Sequence, residues 1–233
     1  DQPIENGMIS RAIENAQAKI EGFNFDARKH ILEYDDVMNK QRETIYRKRR
    51  EALETTNMRE QVLDMIADEI SRLVKFHAPG DFCDDWNLEE IREANSTIFS
   101  LPADAVQNMA DFKTRDELID YLVGLAKGAY EEKEKQAGEE IMRQIEKIFY
   151  LRTLDMFWMD HLDEMEHLRD SVRLRAYGQK DPLVEYKNEG HQLFSRLFGA
   201  IQTSFVGAIY KVNLEPRNNA EQHAEIRGQN FFG

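Results

Sequence analysis

The sequence predicts an all-α chain, and three observations predict it. Helix breakers are sparse, with 12 Gly and 5 Pro in 233 residues, while Glu, Lys, Arg, Ala and Leu abound. Apolar residues recur at spacings of three and four over long stretches, the period of a helix face. Where that rhythm stops, the residues that stop it are helix caps and terminators rather than hairpin turns of strands. The expected architecture is one long spine helix, a small helical wing module and a long antiparallel two-helix hairpin.

The spine comes first, within residues 1–55. Between Ile9 and Leu53, apolar or aromatic residues fall at Ile9, Ile13, Ala16, Ile20, Phe23, Ala27, Ile31, Tyr34, Met38 and Ile45. The spacing alternates four and three almost without a break, a narrow stripe near period 3.5. At 1.5 Å per residue the helix would run roughly 65 Å. A helix of that length either forms a coiled coil or serves as a spine for other domains. Ser10 or Asn6 is placed to cap it, and Gly22 is tolerated within it at about 1 kcal/mol.

The wing module is expected over residues 56–137. The stretch MREQVLDMIADEISRLVKFH reads as a helix ended by Ala78-Pro79-Gly80. Asn87-x-x-Glu90 and Thr114-x-x-Glu117 read as capping boxes that open two more helices.

Residues 138–212 carry the hairpin and a return helix. Its first arm aligns Ile141, Ile145, Ile148, Leu151, Leu154, Trp158, Leu162, Met165, Leu168 and Val172 on one face, and its second aligns Phe194, Leu197, Ile201, Phe205, Ala208 and Val212. The connection is RLRAYGQKDP, Arg173 to Pro182. Gly178 releases the first helix, and Asp181 followed by Pro182 is an N-cap with a first-turn proline. So short a link makes the helices antiparallel neighbours. Residues 213–233 are polar and aperiodic and read as a tail or linker.

Charge and composition exclude several functions. Asp and Glu number 44 against 31 Lys and Arg, a net charge of −13, which argues against a nucleic-acid binder. The single Cys, Cys83, rules out a disulfide framework and fits a reducing compartment. No apolar run approaches ~18 residues, so no spanning helix is expected. The chain starts without Met, directly before a helix, and is expected to be a piece of a larger protein.

The candidates for chemistry each have a plainer reading. Glu164-x-x-His167 has the spacing of half a carboxylate-bridged di-metal motif, but no second copy accompanies it, so a solvated face is the expectation. Asp35 and Asp36, with Glu33, diverge around a helix and do not form a joint acid–base site. The run Arg47 to Arg50 resembles a nucleic-acid patch, yet it falls near a helix end, where basic side chains suit the dipole. No phosphate-binding loop is present. Catalysis by this chain alone is not expected. At this level a helical adaptor and, less favoured, a di-metal bundle enzyme remain open as alternatives.

Two long stretches carry a resemblance. AIENAQAKIEGFNFDARKHILEYDDVMNKQRETIY, Ala12 to Tyr46, resembles the scaffold helix of the SecA family, the motor ATPases of bacterial protein export. LRTLDMFWMDHLDEMEHLRDSVRLRAYGQKDPLVEYKNE, Leu151 to Glu189, is similar to that family's two-helix finger. The resemblance runs over about residues 4 to 211 in the family's order. It implies a helical scaffold helix over 1–55, a helical wing domain over 56–137 and a two-helix finger with a return helix over 138–212. It implies partners: the SecYEG channel, preproteins, and the motor and preprotein-binding domains of the same chain, with a homodimer as a further association and no nucleic acid. ATP and magnesium would belong to the full-length protein, and no cofactor is implied for these residues. The location implied is cytoplasmic, peripheral at the cytoplasmic face of the inner membrane.

Within the finger loop, Tyr177 stands at the family's preprotein-contacting position, with Lys180, Gly178 and Arg175 beside it. A Tyr offers sequence-tolerant contact, apolar area with a hydroxyl and few rotatable bonds. The alternative is that Tyr177 packs back on the hairpin as a local staple. Ala18 replaces a residue that is commonly basic, and Ser171-Val172 replaces the usual Gly-Ile, which is expected to stiffen the first arm. The zinc-binding Cys-rich end of the family is not seen.

Overall fold

The computed structural model describes residues 7–80, 86–102, 104–175 and 181–212, except the side chains of Arg173 and Arg175. The described elements are all helical: α1 Gly7–Glu54, α2 Arg59–His77, α3 Leu88–Ser96, α4 Ala105–Met109, α5 Arg115–Ala137, α6 Glu139–Arg175 and α7 Pro182–Lys211. The all-α class is as the sequence predicts.

Local chemistry sets the boundaries. α2 ends where the Ala78 N–H bonds the Val74 carbonyl at 2.8 Å and Pro79 follows. The Asn87 side chain accepts from the Glu90 N–H at 3.1 Å and opens α3. Thr114 and Glu117 form a reciprocal capping box at the start of α5. Gly138 separates α5 from α6 at φ +84°, a conformation that a side chain would strain. Its N–H bonds Glu134 O at 2.9 Å, and its carbonyl accepts from the Met142 N–H at 3.0 Å. One residue thus closes one helix and opens the next.

The chain divides into two compact units. Residues 1–48 and 158–197 form one, and residues 49–157 and 198–233 form the other. In the first, Met165, Leu168 and Val172 of α6 pack with Tyr186 of α7 and with Tyr34, Val37 and Met38 of α1. The Tyr34 and Tyr186 rings lie 4.8 Å apart. Within this unit Met165 lies against Gly190, and His161 against Phe194, so the two arms run antiparallel.

The second unit holds the larger core. α2 presents Val62, Ile66, Ile70 and Val74 at every fourth position, all fully buried, and α5 answers with Leu118, Leu122, Ala126 and Tyr130. Phe205, Val206 and Ile209 of α7 join them, and the Phe205 and Tyr150 rings meet edge-on at 5.5 Å. Polar groups close the margins. Arg72 bonds the buried Glu69 at 2.6 and 3.0 Å. Lys133 bonds the carbonyls of Ile209, Tyr210 and Val212, the last at 2.6 Å, and so satisfies the end of α7.

Two expectations are corrected. Ile148 is not on the buried face of α6 but 60% exposed, because the face turns through Met142 and Glu146 instead. The basic run Arg47 to Arg50 does not sit at the helix terminus, since the last turn of α1 holds no basic residue. Arg49 instead pairs with Asp155 at 3.0 Å.

Candidate functional site

The residues expected to make functional contact cluster on the connection between α6 and α7. Tyr177, Gly178 and Lys180 lie outside the described residues. Arg175 is the last residue of α6, and its side chain is likewise outside the description. The structure therefore brings into view the two arms that carry this connection.

The second arm begins as its sequence requires. The Asp181 carboxylate accepts from the Leu183 N–H at 2.9 Å, and its carbonyl accepts from the Glu185 N–H at 3.1 Å. Pro182 occupies the first helical position, where its missing N–H costs nothing. Asp181 is thus the cap, and α7 starts at a defined point. On the first arm, the Ser171 hydroxyl bonds the Leu168 carbonyl at 2.9 Å. This back-bonding draws the side chain onto the helix close to the connection. Close to the connection, Leu174 is 78% and Val184 50% exposed. Apolar surface is thus displayed beyond the packed faces.

Below the connection lies a buried polar contact that pattern reasoning passed over. His161 Nε2 is 2.9 Å from Gln41 Oε1, and Gln41 Nε2 donates to the Gly190 carbonyl at 3.2 Å. Trp158 and Phe194 stack beside the imidazole, each with its ring centroid at 5.6 Å. Burial pushes the His161 imidazole down to about 4, so it is neutral at neutral pH. The signal for both residues was present. Gln41 falls between Met38 and Ile45, where the four-and-three rhythm wants a core residue, and His161 falls likewise between Trp158 and Met165. A count of apolar residues alone leaves both out because they are polar.

A second buried cluster lies in the other unit. Glu146 is fully buried, accepts from the Tyr130 hydroxyl and lies 3.2 Å from Arg143. Arg143 also reaches the Tyr130 hydroxyl at 3.0 Å and pairs with Glu134, which in turn meets Arg59 at 3.1 Å. Burial raises the Glu146 carboxyl and the Tyr130 hydroxyl above their ordinary ranges. These residues join α2, α5 and α6 around Gly138. Most of its polar atoms are bonded, but Glu146 Oε2 and Arg143 Nε are buried with no hydrogen-bond partner among the described residues.

Glu164 and His167 are both exposed on α6. No group of three or more metal-ligating side chains forms among the described residues. No helix is long and apolar enough to cross a membrane among the residues described.

Comparison with known proteins supplies the family. The family described as "SecA Wing and Scaffold domain" matches residues 3–213. The chain is similar to the "Protein translocase subunit SecA" of Pelotomaculum thermopropionicum, at 45% identity over 229 residues, 97% of this chain and 26% of that protein. The same named subunit of Symbiobacterium thermophilum is 45% identical over 234 residues, 93% of this chain and 25% of the relative. That of Syntrophobacter fumaroxidans is 40% identical over 240 residues, 100% of this chain and 28% of the relative. The chain therefore spans about a quarter of the length of these relatives. A family match over nearly every residue, on helices whose caps and buried faces account for the same span, establishes that this chain belongs to the SecA family, in its wing and scaffold region.

Proposed function

We propose that this chain serves protein export as the scaffold, wing and finger of a translocase motor. In this reading residues 1–55 are the scaffold helix, 56–137 the helical wing, and 138–212 the two-helix finger with its return helix. ATP and magnesium are bound by other domains of the same protein, and their hydrolysis is coupled through the finger to movement of a preprotein through the SecYEG channel. The protein works at the cytoplasmic face of the membrane, and a second copy is a further partner. The observation that carries the reading is the family match over residues 3–213.

The loop role rests on physical grounds as well. A moving chain has no fixed sequence, so its contact must tolerate any side chain. Tyr177 supplies apolar area and a hydroxyl with little rotamer entropy to lose. Lys180 and Arg175 add charge beside it, and Gly178 lets the loop turn. The Asp181–Pro182 cap and the packing of Tyr186 anchor the second arm immediately after the loop.

The test is Tyr177→Ala in the complete translocase, with translocation of a model preprotein into channel-containing vesicles as the readout. Translocation should slow while ATP binding is kept. Stability should stay within about 0.5 kcal/mol, as for a surface substitution. Tyr177→Phe should be milder because the ring remains. Translocation at the wild-type rate would sink the contact role, and unfolding several degrees earlier would make Tyr177 a packed staple instead.

A further inference from the structure

Gln41 occupies a core position of α1 and is 6% exposed, and His161 occupies one of α6 and is 2% exposed. Between them, one side-chain amide bonds both arms of the hairpin to the spine: His161 on α6 at 2.9 Å and the Gly190 carbonyl on α7 at 3.2 Å. The carbonyl of Gly190 can only accept, so the Gln41 nitrogen must face it and the Gln41 oxygen must face His161. That oxygen can only accept, so His161 carries its proton on Nε2. Its Nδ1 keeps a buried lone pair with no hydrogen-bond partner among the described residues.

Such a trio is not the most stable filling of this space. Apolar side chains at 41 and 161 would occupy it without a buried unsatisfied nitrogen. What the polar contact adds is register. A stripe with a three-and-four rhythm packs nearly as well after slipping by one turn, about 5.4 Å. The Gln41 amide finds its two partners in one register alone. Gly190 acts in the same sense, because a Cβ there would come within 2.9 Å of Met165 Cε. The bare backbone of α7 meets Met165 and Gln41 at this point.

We propose that Gln41, with His161 and the Gly190 carbonyl, is a register pin: a set of positioning residues that holds both hairpin arms at one axial position on α1. In a translocase the pin keeps load along the finger from being lost as slippage. That last step rests on the function proposed above, whereas the pin itself does not.

The test is the double variant Gln41→Leu/His161→Phe, which removes the polar contact and keeps the packing volume. Register is read by spin labels at Asp26→Cys and Ser195→Cys, with Cys83→Ser, in the 233-residue chain. These two sites are separated by roughly 30 Å along the axis at 1.5 Å per residue, so a slip changes their distance almost one for one. Without the substitutions a single narrow distance is expected. The double variant should add a second population displaced by about one turn, roughly 5 Å, with its melting temperature unchanged or raised. In the complete translocase the same variant should keep its ATP turnover, while preprotein moved per ATP falls several-fold. A single unshifted distance in the double variant overturns the pin. A melting temperature that falls in step with coupling overturns it too, since the residues would then be ordinary core. A slipped register with coupling intact overturns the role in transmitting load. If the unsubstituted translocase moves no preprotein, the proposed function fails, and the label distances still decide the pin.

Discussion

Replacing Gly190 by Ala sets two effects of known size against each other on one helix. In a helix interior Ala is favoured over Gly by about 0.8–1.0 kcal/mol. At Gly190 the added Cβ meets Met165 Cε at 2.9 Å and Sδ at 3.4 Å, with Gln41 Nε2 at 3.9 Å. Met165 is 1% exposed, so its end cannot swing into solvent, and overpacking of a filled core costs about 1–3 kcal/mol. The flexibility of Met places the cost toward the lower end. Gly190→Ala should therefore be neutral to destabilising by about 2 kcal/mol, the difference of the two terms. Gly199 lies in the same helix with nothing within 4 Å of a built Cβ. Gly199→Ala should gain the full propensity term, about 1 kcal/mol. The gap between the two variants isolates the close approach of α7 to Met165. Urea unfolding of the chain reads both, and thermal unfolding should separate them by about 2–4 °C per kcal/mol at this size. Equal stabilisation by both substitutions would refute the close packing at Gly190.

Glu146→Gln tests the buried carboxyl. Because burial raises its folded value, Glu146 holds a proton at pH values where the unfolded chain has released it. Its contribution is thus full below the ordinary carboxylate range, about pH 4, and is lost as pH rises through the raised folded value. The variant should lack that decline, so its stability relative to the parent should grow with pH, and a constant difference from pH 4 to 8 would contradict the burial argument. Lys133→Met removes the donor that satisfies the carbonyls of Ile209, Tyr210 and Val212. A loss of about 1–3 kcal/mol is expected from bonds to a charged group, with faster amide exchange over the last turn of α7, and unchanged exchange there would show that Lys133 is not the cap.

The longer helices were legible from the sequence because their determinants are local, whereas the five-residue α4, Ala105–Met109, was not. Pro79, Thr114 with Glu117, Gly138, and Asp181 with Pro182 each act on the backbone within a turn, and the observed ends fall at those residues. Family membership was legible too, since two long stretches carried it. The alignment of apolar residues told which side chains share a face. It could not tell what covers that face, because coverage depends on residues distant in sequence. On α1 the same rhythm runs from Ile13, 53% exposed, to Ile45, 1% exposed, so the rhythm by itself does not say which positions are covered. Ile148 failed for that reason, lying outside the packed side although its spacing suited it. Gln41, His161 and Glu146 failed for the converse reason. A polar residue reads as surface until a partner appears, and their partners, Gly190, each other, and Tyr130, are brought to them by the packing of separate helices. Burial of a polar group is favourable only when those distant bonds form, so tertiary structure alone decides which polar positions belong to the core.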